Sequence, residues 1–282
     1  MTSALELADV HFRYNTARRS DKSRWTLQGI DLQVQPGGAV GLVGESGSGK
    51  STLVRLMCGL LQPGSGSARF FDQETAEWLS GSPREFRKRN QMVFQSPANS
   101  FDPRMRLGRS LAEPIRAIEC RTPADEELIA ALQKVGLGSS VLARYPRQLS
   151  GGQMQRVAIA RALSVEPDVL YADEPTSALD VSVQAQVINL LLDLRRSLNL
   201  TLVVVSHDLA VVSRLCEQIV VLKDGQIAEA GPTAEVLQDP ASDYTAKLIG
   251  AARAVNLERF QQTPGRGHRW TEEVRLGAAL DT

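Results

Sequence analysis

Residues 44–51 read Gly-Glu-Ser-Gly-Ser-Gly-Lys-Ser, a glycine-rich octet ending in a lysine and a hydroxyl. The spacing is G-x-x-x-x-G-K-[ST], and it lies between an apolar run at 39–43 and a helical pattern carried by Leu53, Leu56, Met57 and Leu60. Strand, loop and helix in that order are the setting a phosphate-binding loop needs. The turns of Gly44, Glu45, Ser46, Gly47, Ser48 and Gly49 aim backbone N–H groups at phosphate oxygens, and the helix N-terminus adds positive potential. Lys50 then reaches the β- and γ-phosphates, Ser51 can ligate Mg²⁺, and Thr52 supplies a further phosphate contact.

A second chemical signal is the run Val169-Leu170-Tyr171-Ala172-Asp173-Glu174, an apolar strand that ends in adjacent acids. Charge at a buried strand end is costly unless a cation or water network satisfies it. Successive strand residues face opposite ways, so the two acids are expected to serve different roles unless the backbone twists before Pro175. Asp173 is assigned to Mg²⁺, directly or through water, and Glu174 to an attacking water as general base.

Leu149-Ser150-Gly151-Gly152-Gln153 opens a helical pattern at 153–163 and offers free N–H groups and a hydroxyl to an anion. Taken alone, Ser150 is an N-cap followed by flexible glycines. Beside a phosphate loop, Ser150, Gly151, Gly152 and Gln153 read instead as a lysine-free surface covering the γ-phosphate of a nucleotide held on a second subunit. Three single residues carry two readings each. Gln95 binds Mg²⁺ or water, or is a surface amide. His207 contacts a γ-phosphate, or is a loop histidine beside the capping candidates Ser206 and Asp208. Tyr14 stacks on a base, or packs.

These residues need a parallel sheet to gather them. Buried-strand patterns at 39–43, 91–94, 168–173 and 201–205 alternate with helical patterns, including one at 183–198. Two further strands are expected at 5–14 and 27–34, joined by an exposed loop bearing Arg18, Arg19, Asp21, Lys22 and Arg24. Between 103 and 152 the strand signal fades, and helices are expected at 107–118, with a kink at Pro114, and at 126–135. Asp224-Gly225 predicts a hairpin between 220–222 and 226–228. Patterning weakens after Leu248, and 263–270 reads as irregular.

Composition narrows the class. The chain has 282 residues, 43% of them hydrophobic, enough for a sizeable core. Lys plus Arg (32) equals Asp plus Glu (32), so no summed field draws it to nucleic acid or an anionic bilayer. No apolar stretch approaches the roughly 20 residues that span a membrane. Glu6 and Asp9 interrupt any secretory h-region, so a cytoplasmic location is expected. Cys58, Cys120 and Cys216 have no pairing pattern and are expected to be buried small hydrophobes; His11, His207 and His268 lack metal-ligand spacing.

The whole order resembles the ATP-binding cassette (ABC) family: phosphate loop at 44–52, Gln95, the LSGGQ signature at 149–153, Asp173-Glu174, Ser177-Ala178-Leu179-Asp180 and His207. The likeness spans residues 4–250. It implies an α/β fold with a RecA-like phosphate-loop NTPase core, an N-terminal β subdomain, a helical insert at about 96–153 and an extension at 251–282. It also implies ATP and Mg²⁺ as cofactors, adenine stacking by Tyr14, a signature acting across a dimer of ATPase subunits that Asp180 supports, and His207 as γ-phosphate switch. Residues 94–97, 100–104 and 111–115, with Tyr145-Pro146, resemble the dipeptide, oligopeptide and nickel importer branch, although Phe101 replaces a usual leucine and Arg147 a frequent histidine. Permease subunits and a solute-binding protein are the partners implied, with the chain at the cytoplasmic face of the membrane. A soluble cassette ATPase of DNA repair or translation is the alternative. It fits less well, since only residues 96–148 separate Gln95 from the signature, leaving no room for long coiled coils. A small-molecule kinase has no use for the second anion surface.

Overall fold

A computed structural model describes residues 2–14, 25–177 and 179–261, with side chains to residue 254. The expected charged loop at 18–24, the irregular stretch at 263–270, Ala178 and His268 lie outside the described residues.

The chain opens with β1 (Leu5–Phe12), β2 (Leu27–Val34) and β3 (Ala39–Val43), followed by α1 (Lys50–Met57). β4 (Ser65–Phe70) and β5 (Gln73–Glu74) then complete an antiparallel sheet in the order β2-β1-β4-β5. In β2 buried and exposed residues alternate, as expected of a strand with one solvated face. α2 (Thr75–Gly81) and α3 (Pro83–Arg89) lead into β6 (Asn90–Val93). The guanidinium of Arg89 lies over the rings of Phe70, Phe71 and Trp78 and pairs with Asp168, tying the antiparallel sheet to the start of a central strand.

Helices fill the next stretch: α4 (Leu107–Ile118), which continues through Pro114, α5 (Asp125–Lys134) and α6 (Gly151–Leu163). The central sheet resumes with β7 (Val169–Asp173), α7 (Val181–Leu198), β8 (Thr201–Val205), α8 (Leu209–Leu215), β9 (Gln218–Lys223) and β10 (Gln226–Pro232). The strand order is β10-β9-β3-β8-β7-β6, parallel except for the β9–β10 hairpin, whose turn residues Asp224 and Gly225 both have positive φ. α9 (Thr233–Gln238) and α10 (Asp243–Gln261) end the described chain.

Strands buried on both faces read as continuous apolar runs, which is why β3 and β8 were legible. Their two faces nonetheless serve different cores. Leu202 and Val204 pack with the helices α4 to α8, while Val203 and Val205 pack with α1 and the antiparallel sheet. The period of two in side-chain direction thus lets one strand join both halves of the molecule.

Four expectations are corrected. The hairpin strands run longer than 220–222 and 226–228, because cross-strand pairing with β3 extends β9. β6 stops at Val93, leaving Phe94 45% exposed. Helix persists beyond Leu248 to Gln261. Cys58 and Cys216 are buried but Cys120 is exposed, at a positive φ of 57° just past the end of α4. That is the left-handed position that commonly ends a helix, and it faces water.

Candidate nucleotide site

Because β3, β8, β7 and β6 are neighbours and parallel, the residues after their C-terminal ends form a row. The loop 44–49 follows β3, His207 follows β8, Asp173 and Glu174 end β7, and Gln95 follows β6. Ligands of open parallel sheets bind along this edge.

Lys50 is folded back on the loop. Its Nζ donates to the carbonyls of Gly44 (2.8 Å) and Glu45 (2.7 Å) and to Ser48 Oγ (3.3 Å). All three ammonium donors are therefore held by the groups that surround the expected phosphates. Burial pushes the Lys50 pKa down, against the upward pull of Glu174, Asp173 and Glu45.

Glu174 sits at φ 45°, so the backbone does turn where β7 ends, and the alternation that would separate the two acids is broken. Its N–H still bonds Val205 O at 2.8 Å, which keeps the turn against β8. Gln95 Nε2 donates to Glu174 Oε2 at 2.6 Å, and His207 Nδ1 lies 3.2 Å from Oε1. Both carboxylate oxygens are thereby oriented, beside a cavity of about 250 Å³ that Glu174, Ser206 and His207 help to line. His207 is 66% exposed and Glu174 19%, so the histidine reaches outward while the carboxylate stays sheltered.

Asp173 is half-buried, and its pKa is raised by burial first and by Glu174 second, with Arg55 and Lys50 opposing. A carboxylate strained in this way gains from a cation. The Asp173 carboxylate and the Ser51 hydroxyl at the start of α1 are hard oxygen donors, the kind that Mg²⁺ takes. Among the described residues no group of three or more His, Cys, Asp and Glu could hold a metal. Mg²⁺ generally takes one or two carboxylates together with waters and substrate phosphates. Gln95 is engaged by Glu174 in this structure, a partner at the same sheet edge rather than solvent alone.

Ser150 caps α6. Gln153 N–H donates to Ser150 Oγ at 3.3 Å, and Ser150 N–H donates to Gln153 Oε1 at 3.1 Å, a reciprocal capping box. The capping reading of Ser150 is thus correct for the single chain, and these bonds close on each other rather than on the Lys50 loop. Gly152 has a packing reason as well. A Cβ there would stand 2.2 Å from Val183 Cγ1, so glycine lets α6 and α7 approach. Gly151 is exposed. Asp180 caps α7 through Val183 N–H (2.9 Å), and this bond with that from Ser182 holds its carboxyl below the usual range.

Tyr14 lies beyond the end of β1 and is 42% exposed, so its ring is presented rather than packed in the core. Phe12 meets it edge-on at 4.9 Å, and its hydroxyl is 3.3 Å from Thr52 Oγ1 and 3.4 Å from Arg55 Nη1. The strand tip is thereby fixed to the first turns of α1. Two residues escaped the sequence reading. Arg55 acts on Asp173 from the exposed side of α1, and Tyr244 Oη accepts the Glu45 N–H at 3.2 Å from the first turn of α10. Neither belongs to a motif. A separate cavity of about 770 Å³, lined in part by Gly37, Arg195, Glu217 and Thr233, lies at the opposite edge of the sheet and contains no residue of this site.

Comparison with known proteins agrees with this geometry. The family described as ABC transporter matches residues 27–177. The di/tripeptide transport ATP-binding protein DppF of Pseudomonas aeruginosa is 39% identical over 261 residues, covering 91% of this chain and 81% of that one. The oligopeptide transport ATP-binding protein OppF of Salmonella typhimurium is 40% identical over 256 residues, covering 88% and 77%. Among solved structures, cbiO1 from Clostridium perfringens, part of the ABC transporter complex cbiONQ, has a TM-score of 0.74 at 26% identity, covering 92% of this chain and 98% of that one. The ATP-binding cassette MJ0796, a dimer in a post-hydrolysis state with ADP and Pi, has a TM-score of 0.70 at 29% identity, covering 81% and 98%. A family match over residues 27–177 and relatives about 40% identical over most of the chain place it in the ABC transporter family, as an ATP-binding subunit that hydrolyses ATP.

Proposed function

We propose that the chain powers uptake of peptides through membrane permease subunits, with ATP closed between the Lys50 loop of one ATPase subunit and residues 150–153 of a second. The observation that carries the chemistry is Glu174, its two oxygens oriented by Gln95 and His207 beside a cavity at the sheet edge with room for water. Glu174 takes the proton of the attacking water. Gln95 orients that carboxylate, and His207 turns from Glu174 to the γ-phosphate. Tyr14 stacks on adenine, while Gly44, Glu45, Ser46, Gly47, Ser48, Gly49, Ser51 and Thr52 surround the phosphates. Ser51 and Asp173 would hold Mg²⁺, which when bound would neutralise phosphate charge.

Peptide as the solute is supported by the transport names of the relatives and by the importer-like residues 94–104. Those names give no support to a role in DNA repair or translation. No described helix is long and apolar enough to cross a membrane, so coupling needs partners. The segment proposed to meet them is 97–116, next to the exposed Phe94, with a solute-binding protein on the far side of the permease and residues 251–282 as an accessory extension. Co-purification of the chain from detergent-solubilised membranes, with its bound chains identified, tests this. Permease subunits of a peptide importer are expected; recovery only as free protein, with those permeases expressed, counts against it. Tyr14→Ala should weaken ATP binding by roughly 5- to 150-fold, the worth of one aromatic stack at about 1–3 kcal/mol. Unchanged affinity in a nucleotide titration would return Tyr14 to a packing role.

A further inference from the structure

The backbone of Glu45 is held from both sides. Its carbonyl accepts from Lys50 Nζ at 2.7 Å, and its N–H donates to Tyr244 Oη at 3.2 Å. Tyr244 reaches the loop from the first turn of α10, far along the chain. Its ring lies under Lys223, whose Nζ is 5.1 Å from the centroid, at the end of the strand that leads into the hairpin turn. That turn makes its own bond to the loop, from Gly225 N–H to Ser48 O at 3.1 Å. The start of α10 is in turn fixed to β10, because Glu229 accepts the N–H groups of Ala241 (2.8 Å) and Ser242 (3.1 Å). Arg253 Nη2 donates to Leu237 O at 3.2 Å further along the same helix. The phosphate loop is therefore pinned at its outer rim by two contacts from the C-terminal part of the fold, across a cavity of about 390 Å³ lined partly by Trp25, Ser46 and Gly47.

We infer that Tyr244 is a positioning residue for the phosphate loop, through which helix α10 sets the loop's affinity for nucleotide. When Lys50 swings from the Glu45 carbonyl to the phosphates, the Tyr244 hydroxyl is the contact that still restrains Glu45. A restrained loop keeps its remaining N–H groups convergent, so nucleotide need not order it. Removing the hydroxyl returns that ordering to the binding step and leaves the Glu174 machinery untouched. Linkage makes the effect reciprocal: bound nucleotide must stabilise the first turn of α10.

The inference rests on the Lys50 loop being the nucleotide site, and Tyr244→Phe tests it in the assembled transporter. The variant keeps the ring and its Lys223 contact and loses one hydrogen bond. The KM for MgATP should rise about two- to tenfold, as expected for one neutral hydrogen bond, with kcat essentially unchanged. Thermal stability without nucleotide should match the parent. Hydrogen exchange of the amides of 243–253 should slow on MgATP binding in the parent and much less in the variant. An unchanged KM, a fall in kcat alone, or a KM rise that merely tracks lost thermal stability overturns the inference. Lys50→Ala run alongside separates the two readings: if that variant binds MgATP normally, the assignment of the loop itself has failed.

Discussion

Glu174→Gln should hydrolyse ATP about 10² to 10⁴ times more slowly than the parent, the usual worth of a general base, while still binding nucleotide. The geometry explains why this substitution separates the two. An amide at 174 can keep its oxygen toward Gln95 Nε2, now 2.6 Å away, and turn its NH₂ toward His207 Nδ1, now 3.2 Å away. Neither neighbour is left unpaired, and the positive-φ turn at Glu174 is undisturbed. What disappears is the capacity to accept a proton from water. With hydrolysis stalled, the closed pairing of a Lys50 loop with a partner's Ser150 surface should persist, so MgATP-dependent association of the variant should outlast that of the parent. ATPase rate and association, measured on the same preparation in complex with its partners, check both halves. Near-normal turnover would remove Glu174 from the chemistry, and turnover lost without longer-lived association would make its role structural.

How far the sequence reached depends on which interaction decides each feature. β3 and β8 were legible because strands buried on both faces leave unbroken apolar runs, and the phosphate loop because each of its residue types has a local geometric reason. The row of Lys50, His207, Glu174 and Gln95 followed once the sheet was taken as parallel, since all four lie at the same edge. The antiparallel strands β4 and β5 and the helices α2 and α3 were not placed, being short and weakly patterned. The helix after Leu248 escaped because its apolar residues do not form one stripe.

Within the site, the relative direction of Asp173 and Glu174 depended on a single backbone angle, which periodicity cannot supply. The alternation rule predicted opposite faces, and the turn at φ 45° broke it. Ser150 illustrates a different limit. Its hydroxyl and N–H are used within the capping box, which is the plain reading of a serine before two glycines, and an anion from a second subunit is no part of the single chain's geometry. Tyr244 lies 199 residues from the loop it touches, and no local pattern marks such a contact.

Lys50→Ala should abolish most nucleotide binding yet leave the empty protein nearly as stable as before. Two opposing terms produce that split. The ammonium is buried enough that its pKa is lowered, so its removal relieves a desolvation cost. The same removal gives up three hydrogen bonds, to Gly44 O, Glu45 O and Ser48 Oγ, and leaves Asp173 without one of the two cations that offset its burial. Glu45 keeps its bond to Tyr244, and Ser48 O keeps its bond to Gly225, so the loop is still anchored at its outer rim. Nucleotide has no such substitute. Hydrogen bonds from a charged donor are each worth about 1.5–3 kcal/mol, so losing even one to the phosphates weakens binding by roughly 10- to 150-fold. A parent protein at 100 times its Kd for MgATP gains about 2.7 kcal/mol of stability, and the variant at the same concentration should gain about half of that or less. Melting temperature recorded against MgATP concentration shows this directly, as a steep rise for the parent and a much shallower one for Lys50→Ala. An equal rise in both would mean that nucleotide is held without Lys50, and the phosphate loop at 44–52 would lose its assignment.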